Sequence, residues 1–271
     1  MALPQTKQHI QQTFDLISDG YDRAELRWFV NNGLSLARAL ELRGDEMVLD
    51  LAAGTGAVAL ALAPCLPQGQ IIATDLSAGM LSRGRLRAHQ EGWDNMRFAV
   101  MDLERPSFPP ETFDLITSAF GLVFVDNMVS ALTGIVPYLK HGGRFAISSF
   151  GEGSFSPMLD KFFTRMESQG VARPDISWDR LSQVDDNVDL LNRAGLKDVE
   201  LHFDQIGYRL PDAEAWWHVL WNAGMRGMLE LLDADAQQQF RQDHLAEISV
   251  MAQNESLELN VRVIHAIGRR P

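Results

Sequence analysis

The chain has 271 residues, 46% of them hydrophobic, with a formal net charge of −12 and one cysteine. That length suits one α/β domain with an added lid, and the composition suffices for a substantial core. The acidic balance argues against a nucleic-acid partner, no apolar run approaches the roughly 20 residues needed to span a bilayer, and a lone Cys65 excludes an internal disulfide or a multi-cysteine zinc site.

The stretch Met1 to Ile10 is polar and lacks the apolar core of a secretory signal, and one cysteine fits a reducing cytoplasm. From Gln5 to Leu42 the pattern is helical: Phe14, Ile17 and Tyr21 recur at helical spacing, and Leu34, Leu36, Ala37 and Leu40 continue it beyond Gly33. The period then changes. Met47 to Leu51 is a short apolar run, as expected of a strand buried on both faces. A glycine-bearing turn leads into a helix over Val58 to Ala63, where Cys65 reads as a small residue closing the helix. Gln70 to Thr74 is a second strand ending at Asp75, followed by a helix from Ser77 to Gln90. The alternating Arg83, Arg85 and Arg87 read there as solvated surface. Arg97 to Met101 and Phe113 to Ser118 are the third and fourth strands. A helix over Val129 to Leu139 stops at Lys140-His141-Gly142-Gly143, and Arg144 to Phe150 is a fifth strand.

The second half is less regular. Helices are predicted over Phe155 to Gly170, Val188 to Gly195, Asp212 to Leu232 and Ala234 to Met251, with strands over Val199 to Leu210 and Leu257 to Gly268. Strands alternating with helices indicate a parallel sheet covered on both faces, whose ligands bind beyond the carboxyl ends of the strands. Asp50, Asp75, Asp102 and Ser118 all fall there.

Leu49-Asp50-Leu51-Ala52-Ala53-Gly54-Thr55-Gly56 lies at a strand-to-helix turn. Gly54 and Gly56 allow the backbone close to a ligand, and the next helix aims free N–H groups at it. Gly54-x-Gly56-x-x-Ala59 also satisfies a dinucleotide pattern, so a nicotinamide oxidoreductase is a competing reading. Asp50 tilts the balance, because a carboxylate repels a pyrophosphate and attracts an ammonium. Asp75 suits the two hydroxyls of a ribose in either reading. Asp102-Leu103 offers an acceptor and a donor to an adenine, although Asp102 equally suits a cap.

With these residues the chain resembles the class I S-adenosylmethionine-dependent methyltransferases. Leu49 to Gly56 resembles the family's first motif and Ala73 to Leu81 its second. Phe113 to Ile116 and Leu139 to Arg144 resemble later strand landmarks. Phe14-Asp15, Tyr21-Asp22 and Ser118 to Leu122 are similar to the branch of ubiquinone and menaquinone biosynthesis C-methyltransferases, whereas Val123-Phe124-Val125 depart from it and suggest a more apolar pocket. The resemblance implies an α/β, Rossmann-like, mostly parallel seven-stranded sheet with helices on both faces. It implies one domain: a helical cap over 1–42, a cofactor core over 43–150, and a C-terminal part over 151–271 with a helical lid near 211–256.

The cofactor implied is S-adenosyl-L-methionine, with S-adenosyl-L-homocysteine as product. Asp50, Ala52 and Gly54, with Thr55 and Gly56 of the same motif, would surround its methionine part. Asp75 would hold the ribose, Leu76 and Met80 the adenosine, and Asp102 and Leu103 the adenine. Ser118 would meet the methionine end and Tyr21 would close over the whole. Phe14, Phe120, Trp217 and Trp221 are candidate substrate-binding residues in an apolar cavity for a small hydrophobic or aromatic acceptor; each also suits ordinary packing.

No residue declares itself a catalytic base, and in-line displacement from a sulfonium needs alignment more than proton transfer. His218 is the one candidate. His202 and His265 read as structural. His244 and Glu247 share a helix turn but lack further ligands, so no metal is expected. A non-catalytic adenosylmethionine-binding protein is a further alternative.

Overall fold

The computed structural model describes residues 5–174, 177–254 and 256–271. The first residues of the polar Met1 to Ile10 stretch therefore lie outside it. In chain order the elements are α1 (Gln5–Ile17), α2 (Trp28–Leu40), β1 (Met47–Leu51), α3 (Ala57–Leu62), β2 (Gln70–Asp75), α4 (Ala78–Glu91), β3 (Met96–Val100), β4 (Phe113–Ala119), α5 (Met128–Ile135) and β5 (Leu139–Phe150). There follow α6 (Met158–Ser168), α7 (Val184–Arg193), β6 (Lys197–Gln205), β7 (Tyr208–Arg209), α8 (Ala213–Asn222), α9 (Arg226–Leu229), α10 (Ala234–Asn254), β8 (Glu258–Leu259) and β9 (Arg262–Arg269).

Seven strands form one sheet in the order β3-β2-β1-β4-β5-β9-β6, and β7 with β8 makes a separate ribbon. The first five strands run parallel, while β9 is antiparallel to both β5 and β6. Alternate β1 residues show why the sheet needs two helical layers. Val48 packs with Leu36, Leu40, Leu62 and Ile71 on one face, and Leu49 packs with Ile116, Leu132, Ile135 and Leu191 on the other. Each such side chain contributes about 1.5–3 kcal/mol by leaving water. A third cluster of Trp28, Phe150, Phe155, Phe162, Trp216 and Phe240 joins α2 to the C-terminal helices beyond the strand ends.

Four expectations change in detail. The strand predicted over Leu257 to Gly268 is two, broken at Asn260 and Val261, with β8 pairing to β7 and β9 to the main sheet. The helix predicted to reach Leu139 ends at Ile135, because Pro137 withdraws a donor and the chain tightens into a 3₁₀ turn over Val136–Tyr138. The strand predicted over Val199 to Leu210 is two strands, since the chain leaves the sheet after Gln205 and presses Gly207 so close to Leu259 that a Cβ there would lie 2.0 Å from its carbonyl oxygen. The helix predicted over Asp212 to Leu232 breaks where Ala223 turns extended ahead of Gly224. Among the described residues no helix is long and apolar enough to cross a membrane.

Candidate active site

The order of strands reverses between β1 and β4, and a crevice opens at their carboxyl ends. Three residues of the turn after β1 adopt positive φ: Ala52 at 52°, Gly54 at 57° and Gly56 at 81°. The glycines do so freely, but Ala52 is held in a left-handed conformation that costs an alanine about 1–2 kcal/mol. The turn is tied to β2, with the Ala53 N–H donating to the Thr74 carbonyl at 2.9 Å.

Asp50 sits at this reversal, 1% exposed. Thr117 Oγ1 donates to its Oδ1 at 2.7 Å, and its Oδ2 has no partner. Burial pushes the carboxyl up to about 7, against the opposing pull of the Thr117 hydrogen bond. A cation beside such a group would favour its ionised form.

Asp75 ends β2. Its Oδ2 accepts from the Gly54 N–H and its Oδ1 from the Ser77 N–H, each at 2.8 Å. Burial raises its pKa and these backbone donors oppose the rise. Each oxygen keeps a lone pair, so the carboxylate suits two vicinal hydroxyls. Asp102 follows β3. The Glu104 N–H donates to its Oδ1 at 3.0 Å, and Lys7 of α1 bridges Asp102 and Glu104. Partial burial alone would lower the Lys7 pKa, but these two carboxylates raise it above the ordinary lysine value.

The segment from α1 to α2 forms a cap stitched across the crevice. Asp15 Oδ1 accepts from Ser77 Oγ at 2.5 Å and from the Gly79 N–H at 3.0 Å. Asp22 Oδ1 accepts from Thr55 Oγ1 at 2.6 Å and from Arg87 Nη1 at 2.8 Å. Arg83 donates to the Asp19 carbonyl. The arginines expected to be mere surface therefore include two that fasten the cap to α4. Tyr21 stacks on Phe29 at 4.5 Å, and burial with Asp75 and Asp22 nearby pushes its phenol far up, so it stays neutral.

Beneath the cap lies a cavity of about 350 Å³. Nine of the sequence-predicted residues lie on its wall: Phe14, Tyr21, Ala52, Gly54, Asp75, Leu76, Asp102, Leu103 and Phe120. Asp50 and Thr55 line a small adjoining cavity. Gly56, Met80 and Ser118 line neither: Met80 is buried in α4, Ser118 is buried within β4, and Gly56 is turned toward Gly84 and Phe98.

Trp217 and Trp221, the substrate candidates on α8, and His218, the catalytic candidate, also lie off the cavity wall. The reason is helical phase. Helix α8 presents Trp216, Val219 and Leu220 to the cavity, and residues one position away point about 100° aside. Trp217 and Trp221 stack on each other, with Arg241 over the first and Arg226 over the second. His244 is structural as well, accepting from Trp216 Nε1 at 2.9 Å. Cys65, read as part of the helix end, is exposed.

Several wall residues escaped the sequence reading: Lys7, Trp28, Phe29, Phe150, Phe155 and Trp178. Phe150 stacks on Phe120 at 4.0 Å and meets Phe155 edge-on at 5.1 Å. Phe120 itself holds a φ of 59°, a second left-handed residue facing the crevice. Among the described lining residues the ionisable ones are Lys7, His9, Tyr21, Asp75, Asp102 and Glu104, all from α1, the turn after it, or the ends of β2 and β3. Every described lining residue from α2, and from the end of β4 onward, is aromatic, aliphatic, methionine or glycine.

A doubly wound sheet with an acid near the end of β1 that has one unpartnered oxygen, an acid ending β2, an acid following β3, and an antiparallel strand next to the sheet edge matches the class I adenosylmethionine-binding fold. The methyltransferase-domain family matches residues 48–143. The chain is 34% identical over 168 residues to the aklanonic acid methyltransferase of Streptomyces sp. (strain C5), covering 61% of this chain and 76% of that protein. It is 33% identical over 147 residues to the ubiquinone/menaquinone biosynthesis C-methyltransferase of Coxiella burnetii (strain Dugway 5J108-111), covering 54% of this chain and 58% of that one. A similar solved structure is Haemonchus contortus phosphoethanolamine N-methyltransferase 2 in complex with phosphomonomethylethanolamine and S-adenosylhomocysteine, with a TM-score of 0.54, 18% identity, and 94% of this chain and 60% of that chain covered. The chain belongs to the S-adenosylmethionine-dependent methyltransferases, and S-adenosylmethionine is its cofactor.

Proposed function

We propose that this enzyme methylates a small hydrophobic or aromatic metabolite held at the aromatic end of the cavity. The observation that carries the reading is the division of the wall by element: the ionisable groups come from α1, the turn after it and the ends of β2 and β3, where the adenosine would lie, and Trp28, Phe150, Phe155, Trp178 and Trp216 come from α2, β5 and the elements after it. Planar rings stack well on such surfaces, and water is excluded from them.

In the cofactor half, Asp75 would hold the ribose hydroxyls and Asp102 with Leu103 the adenine. Asp50 would face the ammonium of the methionine part, while Ala52 and Gly54 admit it closely. Tyr21 would close over it from the cap, and Phe14 would meet the acceptor. When bound, the cofactor supplies a sulfonium-activated methyl group. The chain's own residues align the acceptor with that methyl and keep water out. The described wall offers no base at the aromatic end, so the acceptor presents an atom that is nucleophilic without help from the protein. The whole chain acts as one domain, working in the cytoplasm, and its net charge of −12 disfavours nucleic acid as the acceptor.

The test is a screen of aromatic and polycyclic acceptors, scored by S-adenosylhomocysteine release. Turnover of planar apolar compounds in preference to polar amines supports the proposal. Turnover confined to charged or macromolecular acceptors overturns it.

A further inference from the structure

The small cavity beside Asp50 holds a second unsatisfied side chain. Asn32 of α2 lines it, is 1% exposed, and has no hydrogen-bond partner at either Nδ2 or Oδ1. Asp50 Oδ2 is likewise unpartnered and lines the same cavity. Buried polar atoms are nearly always partnered, and a buried amide with both ends free costs more than an apolar side chain of the same shape. Three such atoms around one cavity mark a ligand subsite. None of the residues lining it is a lysine, arginine or histidine, so a group that pairs with ionised Asp50 has to bring its own positive charge. An amide that both donates and accepts suits a head group that carries an anion beside that cation.

We infer that Asn32 binds the α-amino-acid head of the cofactor, with Nδ2 donating to its carboxylate and Oδ1 accepting from its ammonium beside Asp50. The inference rests on the cofactor lying in the crevice as proposed above. It adds a residue from the cap, outside the 48–143 stretch that matches the family. The cap then joins Asp50 of the sheet in reading the amino-acid end.

The experiment compares two ligands by calorimetry, S-adenosylhomocysteine and 5′-methylthioadenosine, which shares the adenosine and thioether but lacks the amino-acid head. Asn32→Leu should weaken S-adenosylhomocysteine about ten- to hundredfold, as for a lost hydrogen bond to a charged group, and leave 5′-methylthioadenosine unchanged. The ligand-free thermal midpoint should not fall, because the leucine replaces an amide that has no partners there. Asn32→Asp is the second variant. A second carboxylate should repel S-adenosylhomocysteine and spare decarboxylated S-adenosylmethionine, which keeps the ammonium alone. Equal losses for both ligands with a lowered midpoint would make Asn32 a packing residue and overturn the inference. Unchanged S-adenosylhomocysteine affinity would leave Asn32 to water and overturn it equally. Failure of the wild-type protein to bind either ligand would instead overturn the crevice as the cofactor site, and this inference with it.

Discussion

Lys7 Nζ lies 2.6 Å from Asp102 Oδ2, so the acid proposed to take the adenine amino group already carries a cation from the cap. The pair is mostly withdrawn from solvent, with side chains 19% and 13% exposed. A ligand bound at Asp102 must displace this ammonium or share the carboxylate with it. Lys7→Met should therefore strengthen S-adenosylhomocysteine binding severalfold at low salt and flatten its salt dependence, since screening already loosens the wild-type pair. Calorimetry across a salt series measures both. Weaker binding in Lys7→Met would show that Lys7 assists the ligand.

Asp50 gives the site a pH dependence. Its carboxyl, pushed up to about 7 by burial, is largely protonated below that value in the ligand-free protein. A bound ammonium favours the ionised form. Affinity for S-adenosylhomocysteine should fall as the pH drops from 8 to 6, and binding near pH 7 should release a proton. Titrations in buffers of different ionisation enthalpy read the proton directly, and Asp50→Asn should abolish both effects. The raised pKa also lowers stability as the pH rises through about 7, so the ligand-free Asp50→Asn protein should be more stable than wild type at pH 8.

Ala52 should accept glycine with profit. Its φ of 52° costs an alanine about 1–2 kcal/mol, and the added freedom of an unfolded glycine returns part of that. Ala52→Gly is expected to be neutral or to stabilise the protein by about 0.5–1 kcal/mol in urea denaturation. Ala52→Val should destabilise it clearly, because a β-branched residue tolerates that conformation poorly.

His265 is expected to govern part of the acid sensitivity. Its ring lies between Ser35 Oγ at 3.0 Å and Ser148 Oγ at 2.9 Å, and Ser35 also donates to Asp204. Burial pushes its pKa down to about 4. A histidine with a depressed folded pKa contributes stability that is complete above the unfolded value of about 6.5 and lost as the pH falls toward 4. The stability advantage of wild type over His265→Gln should shrink across that window by up to about 1.4 kcal/mol per pH unit. A constant difference would mean that His265 titrates alike in the folded and unfolded states.

The acceptor wall separates two neighbouring aromatic groups. Phe155→Ala should raise the acceptor KM at least tenfold while cofactor affinity holds, because Phe155 lines the aromatic end. Trp221→Ala should leave both close to wild type, since Trp221 stacks under Arg226 away from the cavity. Steady-state kinetics with one good acceptor decides the matter.

The sheet was readable because its signals are local. Val48-Leu49-Asp50-Leu51 shows a strand buried on both faces, and Gly54 with Gly56 shows the turn. The strand-end rule brought Asp50, Asp75 and Asp102 to one crevice and, applied to β5, would have supplied Phe150 too. Helical phase was the limit for α8: composition revealed three tryptophans, but only packing decides that Trp216 rather than Trp217 or Trp221 faces inward. Asn32 left a mark that went unread. It interrupts the buried series Trp28, Asn32, Leu36 and Leu40, spaced four apart along α2. Lys7 left none, because its partners lie 95 and more residues away and the pairing depends on how the cap docks.

The family match stops at Gly143, and the aromatic residues Phe150, Phe155, Trp178 and Trp216 all come after it in the chain. On the proposed assignment, most of the cofactor cradle and most of the chamber for the acceptor are thus written in successive stretches of sequence. Substitution, insertion or exchange in the later stretch can recut the chamber while the cradle before it stays as it is. Such a layout would let one way of handling adenosylmethionine be fitted to different acceptors by changes in the last 128 residues and the cap.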